Sequence, residues 1–214
     1  MKYDLAIFDL DGTILDTLED LKRSLSFALQ SASLPERTLD ETRRFVGNGI
    51  RRLIERAVPE GSDAVLIDAV YASFTAHYRD HCADHTKPYD GIEALVRALR
   101  EAGMQTAVVS NKADFAVQSL CAQYFPGLFD AVAGEREGIR RKPAPDAVLA
   151  VLDSLHTPRE RAVYIGDSEV DVKTAQNAGL DGIFVLWGFR DRDTLLREGA
   201  DVLVSSPEEL LTRL

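Results

Sequence analysis

Six stretches of the chain are almost continuously apolar: LAIF (5–8), TAVVS (106–110), DAVAG (130–134), AVYIG (162–166), GIFVLW (182–187) and ADVLVS (200–205). Runs that do not alternate with polar residues suit parallel strands covered on both faces. Amphipathic segments lie between them. GIEALVRALREAG (91–103) carries Leu95 and Leu99 on one face and stops at Gly103, and VDVKTAQNAGL (170–180) stops at Gly179, both good C-terminal helix signals. TPRE (157–160) places Thr, Pro and Glu as a capping box that opens a short helix. This β-α alternation predicts an α/β fold, a Rossmann-like parallel sheet with helices on both faces.

Residues 18–82 depart from the pattern, with no good strand. Leu18, Leu21, Leu25 and Leu29 keep helical spacing. So do Val46, Ile50, Leu53, Ile54 and Ala57, after a capping box at TLDE (38–41), and Val70, Phe74, Ala76, Tyr78 and His81 outline a third helix. The expectation is a core of residues 1–16 and 86–214 interrupted by a helical insertion over 17–85, with hinges near Asp16–Thr17 and Lys87–Pro88. That insertion reads either as a bundle against the sheet edge or as a lid over the strand ends.

Charge narrows the functional classes. Among 214 residues the formal net charge is −10, which repels nucleic acid and anionic membranes, so an anionic substrate needs a local cation. Two distant cysteines, Cys82 and Cys121, make no disulfide framework. The first apolar run is broken by Asp9, unlike a signal peptide, and no stretch approaches the roughly 20 apolar residues of a membrane span. A soluble, cytoplasmic protein is expected.

In open parallel sheets ligands bind beyond the carboxyl ends of the strands. There the chain places Asp9, Asp11, Gly12 and Thr13, then Ser110, Asn111 and Lys112, then Asp167, Ser168 and Asp171, with Lys142 in RRKPAPD nearby. On an extended chain Asp9 and Asp11 would point the same way, roughly 6.6 Å apart. Several carboxylates converging there raise one another's pKa unless a cation intervenes, and all-oxygen donors with room for water and phosphate suit Mg²⁺ better than Ca²⁺. Lys142, Ser110 and the backbone near Gly12 and Asn111 supply what a phosphoryl group needs. One carboxylate could attack phosphorus while another shuttles the proton.

FDLDGTILDT, VVSNK, KPAPD and GDSEVD, in this order over nearly the whole chain, resemble the four signature motifs of the haloacid dehalogenase superfamily of phosphohydrolases. RRFVGNGIRRLIERAV (43–58), YDGIEALVRALREAG and VLWGFRD resemble its phosphoglycolate phosphatase branch, and the insertion resembles that superfamily's helical cap, which would exclude bulk water and select the substrate. The resemblance implies Asp9 as nucleophile and Mg²⁺ ligand, and Asp11 as general acid/base that also offers the metal its backbone carbonyl. It implies Asp167 as the third ligand, Asp171 in the outer shell, Ser110 and Asn111 as phosphate-binding residues, and Lys142 steadying phosphate and nucleophile. Asp11 points to phosphate chemistry, because the dehalogenases of the superfamily lack it.

The expected reaction is Mg²⁺-dependent hydrolysis of a small phosphomonoester, 2-phosphoglycolate first, by a monomer or homodimer. The alternatives are a pyrophosphatase, a β-phosphoglucomutase-like transferase and a non-catalytic phosphate-binding module. VGNGI (46–50) reads as a helix break or as a loop touching substrate, with Arg51 or Arg52 near a substrate carboxylate. His77, His81 and His85, four apart, have no evident further ligand and read as a packed or solvated face; Trp187 reads as packing.

Overall fold

The structure is a computed structural model and describes residues 2–214. In chain order its elements are β1 Leu5–Phe8, β2 Leu15–Asp16, α1 Leu18–Ser31, α2 Leu39–Phe45, α3 Gly49–Ala57, α4 Ala64–His81, β3 Lys87–Pro88, α5 Ile92–Glu101, β4 Gln105–Ala113 and α6 Asp114–Tyr124. They continue with β5 Ala131–Glu135, α7 Asp146–Ser154, β6 Ala162–Gly166, α8 Glu169–Ala178, β7 Asp181–Val185, α9 Arg192–Arg197, β8 Leu203–Val204 and α10 Pro207–Arg213. The chain divides into two compact units, one of Met1–Leu15 with Pro88–Leu214, the other of Asp16–Lys87.

The first unit holds a six-stranded sheet in the order β5-β4-β1-β6-β7-β8, every neighbouring pair parallel. β1 is fully buried: Leu5 pairs with Gln105 on one side and with Ala162 on the other. One face of the sheet packs Leu5, Ile7, Val109 and Tyr164 against Val148 and Leu152 of α7 and Val172 and Ala175 of α8. Parallel pairing aligns the carboxyl ends of β1, β4 and β6, so the residues that follow each strand share one edge.

The second unit is helical. Leu18, Leu21, Leu25 and Leu29 of α1, Leu53, Ile54 and Ala57 of α3, and Val70, Phe74 and Tyr78 of α4 are its buried residues at helical spacing. Thr38 and Glu41 form the expected capping box of α2. The helical reading from Val46 onward needs correction: Val46 is extended (ψ 165°), Gly47 and Gly49 take φ of 109° and 81°, and the helix restarts at Gly49. TPRE is a second correction. Arg159–Arg161 form only a 3₁₀ turn, and the Thr157 hydroxyl, which was to cap it, donates to Gln105 Oε1 at 3.0 Å. Three residues before β6 leave no room for an α-turn to propagate.

Candidate active site

β1 ends at Phe8, but its ladder with β6 runs one residue further, through a bond from the Asp9 N–H to the Ile165 carbonyl (2.8 Å). The chain then folds back on itself, the Leu10 carbonyl accepting from the amides of Thr13, Ile14 and Leu15. Gly12 makes that turn at φ 85°, and a Cβ there would lie 2.4 Å from Asp167 Oδ2. The strand stops before Asp9, so the two-residue period that was to align Asp9 with Asp11 does not reach Asp11. The two acids enter separate ion pairs. Asp9 Oδ1 lies 2.8 Å from Lys142 Nζ, and Asp11 Oδ1 lies 2.7 Å from Lys112 Nζ.

Lys142 is the buried centre of the site. Its Nζ is 2.8 Å from Asp9 Oδ1, from Asp171 Oδ1 and from the Tyr164 hydroxyl. Burial works against its charge, but Asp171 and Asp9 outweigh that and hold the ammonium well above the usual lysine range. The Asn111 side-chain amide donates to the Lys142 carbonyl at 3.0 Å, so Asn111 braces the lysine's own loop. Ser110 is buried next to Asn111, in the part of β4 where its pairing with β5 shifts register, and accepts from the Lys112 amide (3.3 Å).

β6 delivers Asp167. Its Oδ1 accepts from the Thr13 hydroxyl (3.2 Å) and its Oδ2 from the Phe189 amide (2.7 Å). The loop after β7 is pressed into place: Trp187 Nε1 donates to the Thr13 carbonyl (3.0 Å), and a Cβ on Gly188 would sit 2.3 Å from Asp167 Cβ and 2.4 Å from the Gly12 carbonyl oxygen. Asp171, in the first turn of α8, has both oxygens engaged. Oδ1 takes Lys142 and Tyr164, and Oδ2 takes the Ser168 hydroxyl (2.6 Å) and the amides of Asp167 and Ser168. It therefore holds the lysine and the strand-to-helix turn together.

One oxygen each from Asp9, Asp167 and Asp171 can be chosen so that all lie within 4.8 Å of one another, and all three residues are buried. Burial first, then the charges of Asp171 and Asp11, push Asp9 up to about 7 against the pull of Lys142. Burial, Asp171 and Asp9 likewise hold Asp167 well above the usual carboxylate range. Asp171 goes the other way, since Lys142 and its hydrogen bonds overcome its burial. Counting Asp11, four carboxylates face two ammonium groups, leaving two negative charges unbalanced. Asp9 Oδ1, at ion-pair distance from Lys142, receives no aligned hydrogen bond. An all-oxygen donor set with that charge deficit fits a hard divalent cation.

A family model for haloacid dehalogenase-like hydrolases matches residues 6–185. The chain belongs to that family. Curated phosphoglycolate phosphatases resemble this hydrolase along most of its length. That of Aquifex aeolicus is 30% identical over 96% of this chain and 93% of its own, and that of Agrobacterium fabrum is 35% identical over 87% and 82%. A Lactobacillus delbrueckii subsp. bulgaricus protein with a proposed phosphoglycolate phosphatase activity superposes with a TM-score of 0.96 at 40% identity, covering 100% of this chain and 98% of that one. CbbY from Rhodobacter sphaeroides, solved in complex with phosphate, superposes with a TM-score of 0.77 at 25% identity, covering 97% and 96%. The chain is thus an enzyme, a hydrolase of phosphoric monoesters.

In this hydrolase the first unit brings Asp9, Asp11, Ser110, Asn111, Lys142 and Asp167 to one sheet edge. Two contributors escaped the sequence reading: Tyr164 and the amide of Phe189. Lys112 was placed at the strand ends but given no role, because nothing in its spacing showed that its ammonium reaches Asp11. In the helical unit Arg51, half-buried, pairs with Asp68, and Arg52, exposed, pairs with Glu55. His77 stacks between Phe27 and His81, with ring centroids 4.3 Å apart on either side, and is a packed face as expected. Burial pushes the Cys121 thiol up to about 12, leaving it an inert small hydrophobe. Among the described residues no helix is long and apolar enough to cross a membrane.

Proposed function

We propose that this hydrolase removes phosphate from small phosphomonoesters, 2-phosphoglycolate first among them, with Mg²⁺ and a phosphoaspartyl intermediate on Asp9. The substrate rests on the names of its relatives. The chemistry rests on one observation: a buried carboxylate beyond the central strand, 2.8 Å from a lysine that is itself locked by Asp171 and Tyr164.

Asp9 attacks phosphorus, forming one P–O bond as the ester P–O bond breaks. Asp11 gives the departing oxygen its proton, then takes one from the water that releases phosphate from Asp9. Lys142 fixes the attacking carboxylate and offsets phosphoryl charge, while Ser110 and the backbone beside Asn111 orient the phosphoryl oxygens. The carboxylates of Asp9 and Asp167 and the carbonyl of Asp11 would hold Mg²⁺, which supplies charge stabilisation at the phosphoryl oxygens.

A screen of small phosphate esters with Mg²⁺, ranked by kcat/KM and including diphosphate and β-glucose 1-phosphate, tests the reading. Phosphate release from 2-phosphoglycolate that stops on chelation, with ³²P retained on the protein in a rapid acid quench, is expected. No turnover of any ester with any divalent ion, or undiminished turnover by Asp9→Asn, would refute it.

A further inference from the structure

We propose that Arg190 and Glu169 are positioning residues, a clamp that aims Asp167 at the divalent cation, an inference that rests on the metal-dependent reading above. Arg190 belongs to the loop after β7, and Glu169 is the first residue of α8, close behind Asp167 in the chain. Their contact is a fork: Arg190 Nε lies 2.7 Å from Glu169 Oε2, and Nη2 lies 3.3 Å from Oε1. The arginine side chain is 11% exposed and the glutamate 27%, so water screens this pair little.

The pair closes a ring. From Asp167 the chain runs through Ser168 to Glu169, crosses to Arg190, steps back to Phe189, and returns through the Phe189 amide to Asp167 Oδ2 (2.7 Å). The loop is anchored at both ends as well. The Leu186 amide donates to the Val204 carbonyl (2.9 Å), Trp187 Nε1 to the Thr13 carbonyl (3.0 Å), and the Thr194 amide to Asp191 Oδ1 (2.8 Å), which caps α9. Arg190 adjoins the amide that reaches Asp167. A rotation of Phe189–Arg190 would swing that amide off Oδ2, and a two-pronged contact resists rotation more than a single one. The Thr13 hydroxyl holds the other oxygen, Oδ1, at 3.2 Å, so the carboxylate is aimed from two sides.

Charge gives the inference a sign. A guanidinium near a cation site repels the cation, so if Arg190 acted through its field alone, removing it would strengthen Mg²⁺ binding. If it acts by aiming Asp167, removing it weakens binding, as loss of an outer partner of a metal ligand does. The two roles move the affinity in opposite directions.

The experiment titrates Mg²⁺ into the metal-free full chain by calorimetry, for the wild type, Arg190→Met and Arg190→Lys, with melting of the metal-free proteins recorded alongside. Arg190→Met is expected to weaken Mg²⁺ binding about 10- to 100-fold. Arg190→Lys keeps the charge and loses the fork, and should fall between the other two. Affinity in Arg190→Met equal to the wild type or above it would overturn the inference, even if its melting temperature falls, since a merely structural pair gives that result. Should Arg190→Met fail to fold, Arg190→Lys decides alone, and wild-type affinity there overturns the inference. A wild type that binds no divalent ion would overturn the metal-dependent reading and this inference with it, and that result needs no variant.

Discussion

The helical unit shields an aspartate from solvent as completely as the sheet unit does, and the contrast shows what sets two kinds of buried carboxylate apart. Asp20, on α1, is 1% exposed; Asp167 is 1% and Asp9 is 7%. Asp20 accepts from the His85 amide (3.0 and 2.9 Å), the Thr86 amide (2.8 Å) and the Thr86 hydroxyl (2.9 Å), with the His85 ring nitrogen 2.9 Å away. Burial pushes this carboxyl up, but those donors prevail and hold it below the usual range. Asp9 and Asp167 are given fewer donors and more like charge, and both are pushed up. Exposure is alike, but Asp20 lies under a thinner cover and meets more donors, and the two together separate a structural anchor from a group suited to a cation.

The contrast breaks most sharply at Asp9. Asp9→Asn should lower kcat by about 10⁴-fold, as loss of a covalent nucleophile does. Its metal-free melting temperature should not fall, because the amide removes a charge that burial disfavours. Calorimetry showing a marked drop would mean that Asp9 is structural after all. Asp20→Asn should do the opposite. It sets an amide against donors already aimed at a carboxylate, and should cost about 3 kcal/mol in urea unfolding at pH 7 while leaving Mg²⁺ affinity alone. The folded pKa of Asp20 is depressed, so its contribution is present at neutral pH and lost as pH falls through that depressed value. An unchanged urea midpoint would end the comparison.

Two smaller effects sharpen it. Gly188→Ala drives a methyl into Asp167 and the Gly12 carbonyl, and should weaken Mg²⁺ binding about 10- to 100-fold by titration calorimetry. Unaltered affinity would show that the loop after β7 does not orient Asp167. The raised pKa values of Asp9 and Asp167 make metal binding compete with protons, so affinity should fall by at least about tenfold for each unit below pH 7, with one or more protons released. Flat affinity between pH 5 and 7 would contradict it. In the metal-free protein the Asp9 shift gives a stability contribution that is full below the usual carboxylate pKa and lost as pH rises through about 7.

Much of this was legible from the chain because continuous apolar runs and helical spacing report burial directly. β1 and β6 fall where LAIF and AVYIG stand, and Leu18, Leu21, Leu25 and Leu29 line the interior side of α1. The candidate acids were legible too, since polar residues closing buried strands are costly without a purpose. What spacing does not carry is the path of a side chain between strands. Lys112 to Asp11 spans 101 positions, Tyr164 to Lys142 joins β6 to a loop, and Phe189 acts through a backbone N–H, which every residue but proline possesses. The capping box at TPRE failed for a related reason: the Thr157 hydroxyl turns to Gln105, far away in sequence, and only a three-residue 3₁₀ turn follows it.

The position of β1 between β4 and β6 bears on how the protein is made. β1 has no mate until residues near 105 and 162 have been made, whereas Asp16–Lys87 is a contiguous stretch that can assemble in the meantime. Until β4 and β6 have been made, Leu-Ala-Ile-Phe of β1 stands without its neighbours, and that tetrapeptide is the expected place for a chaperone to hold and for aggregation to start.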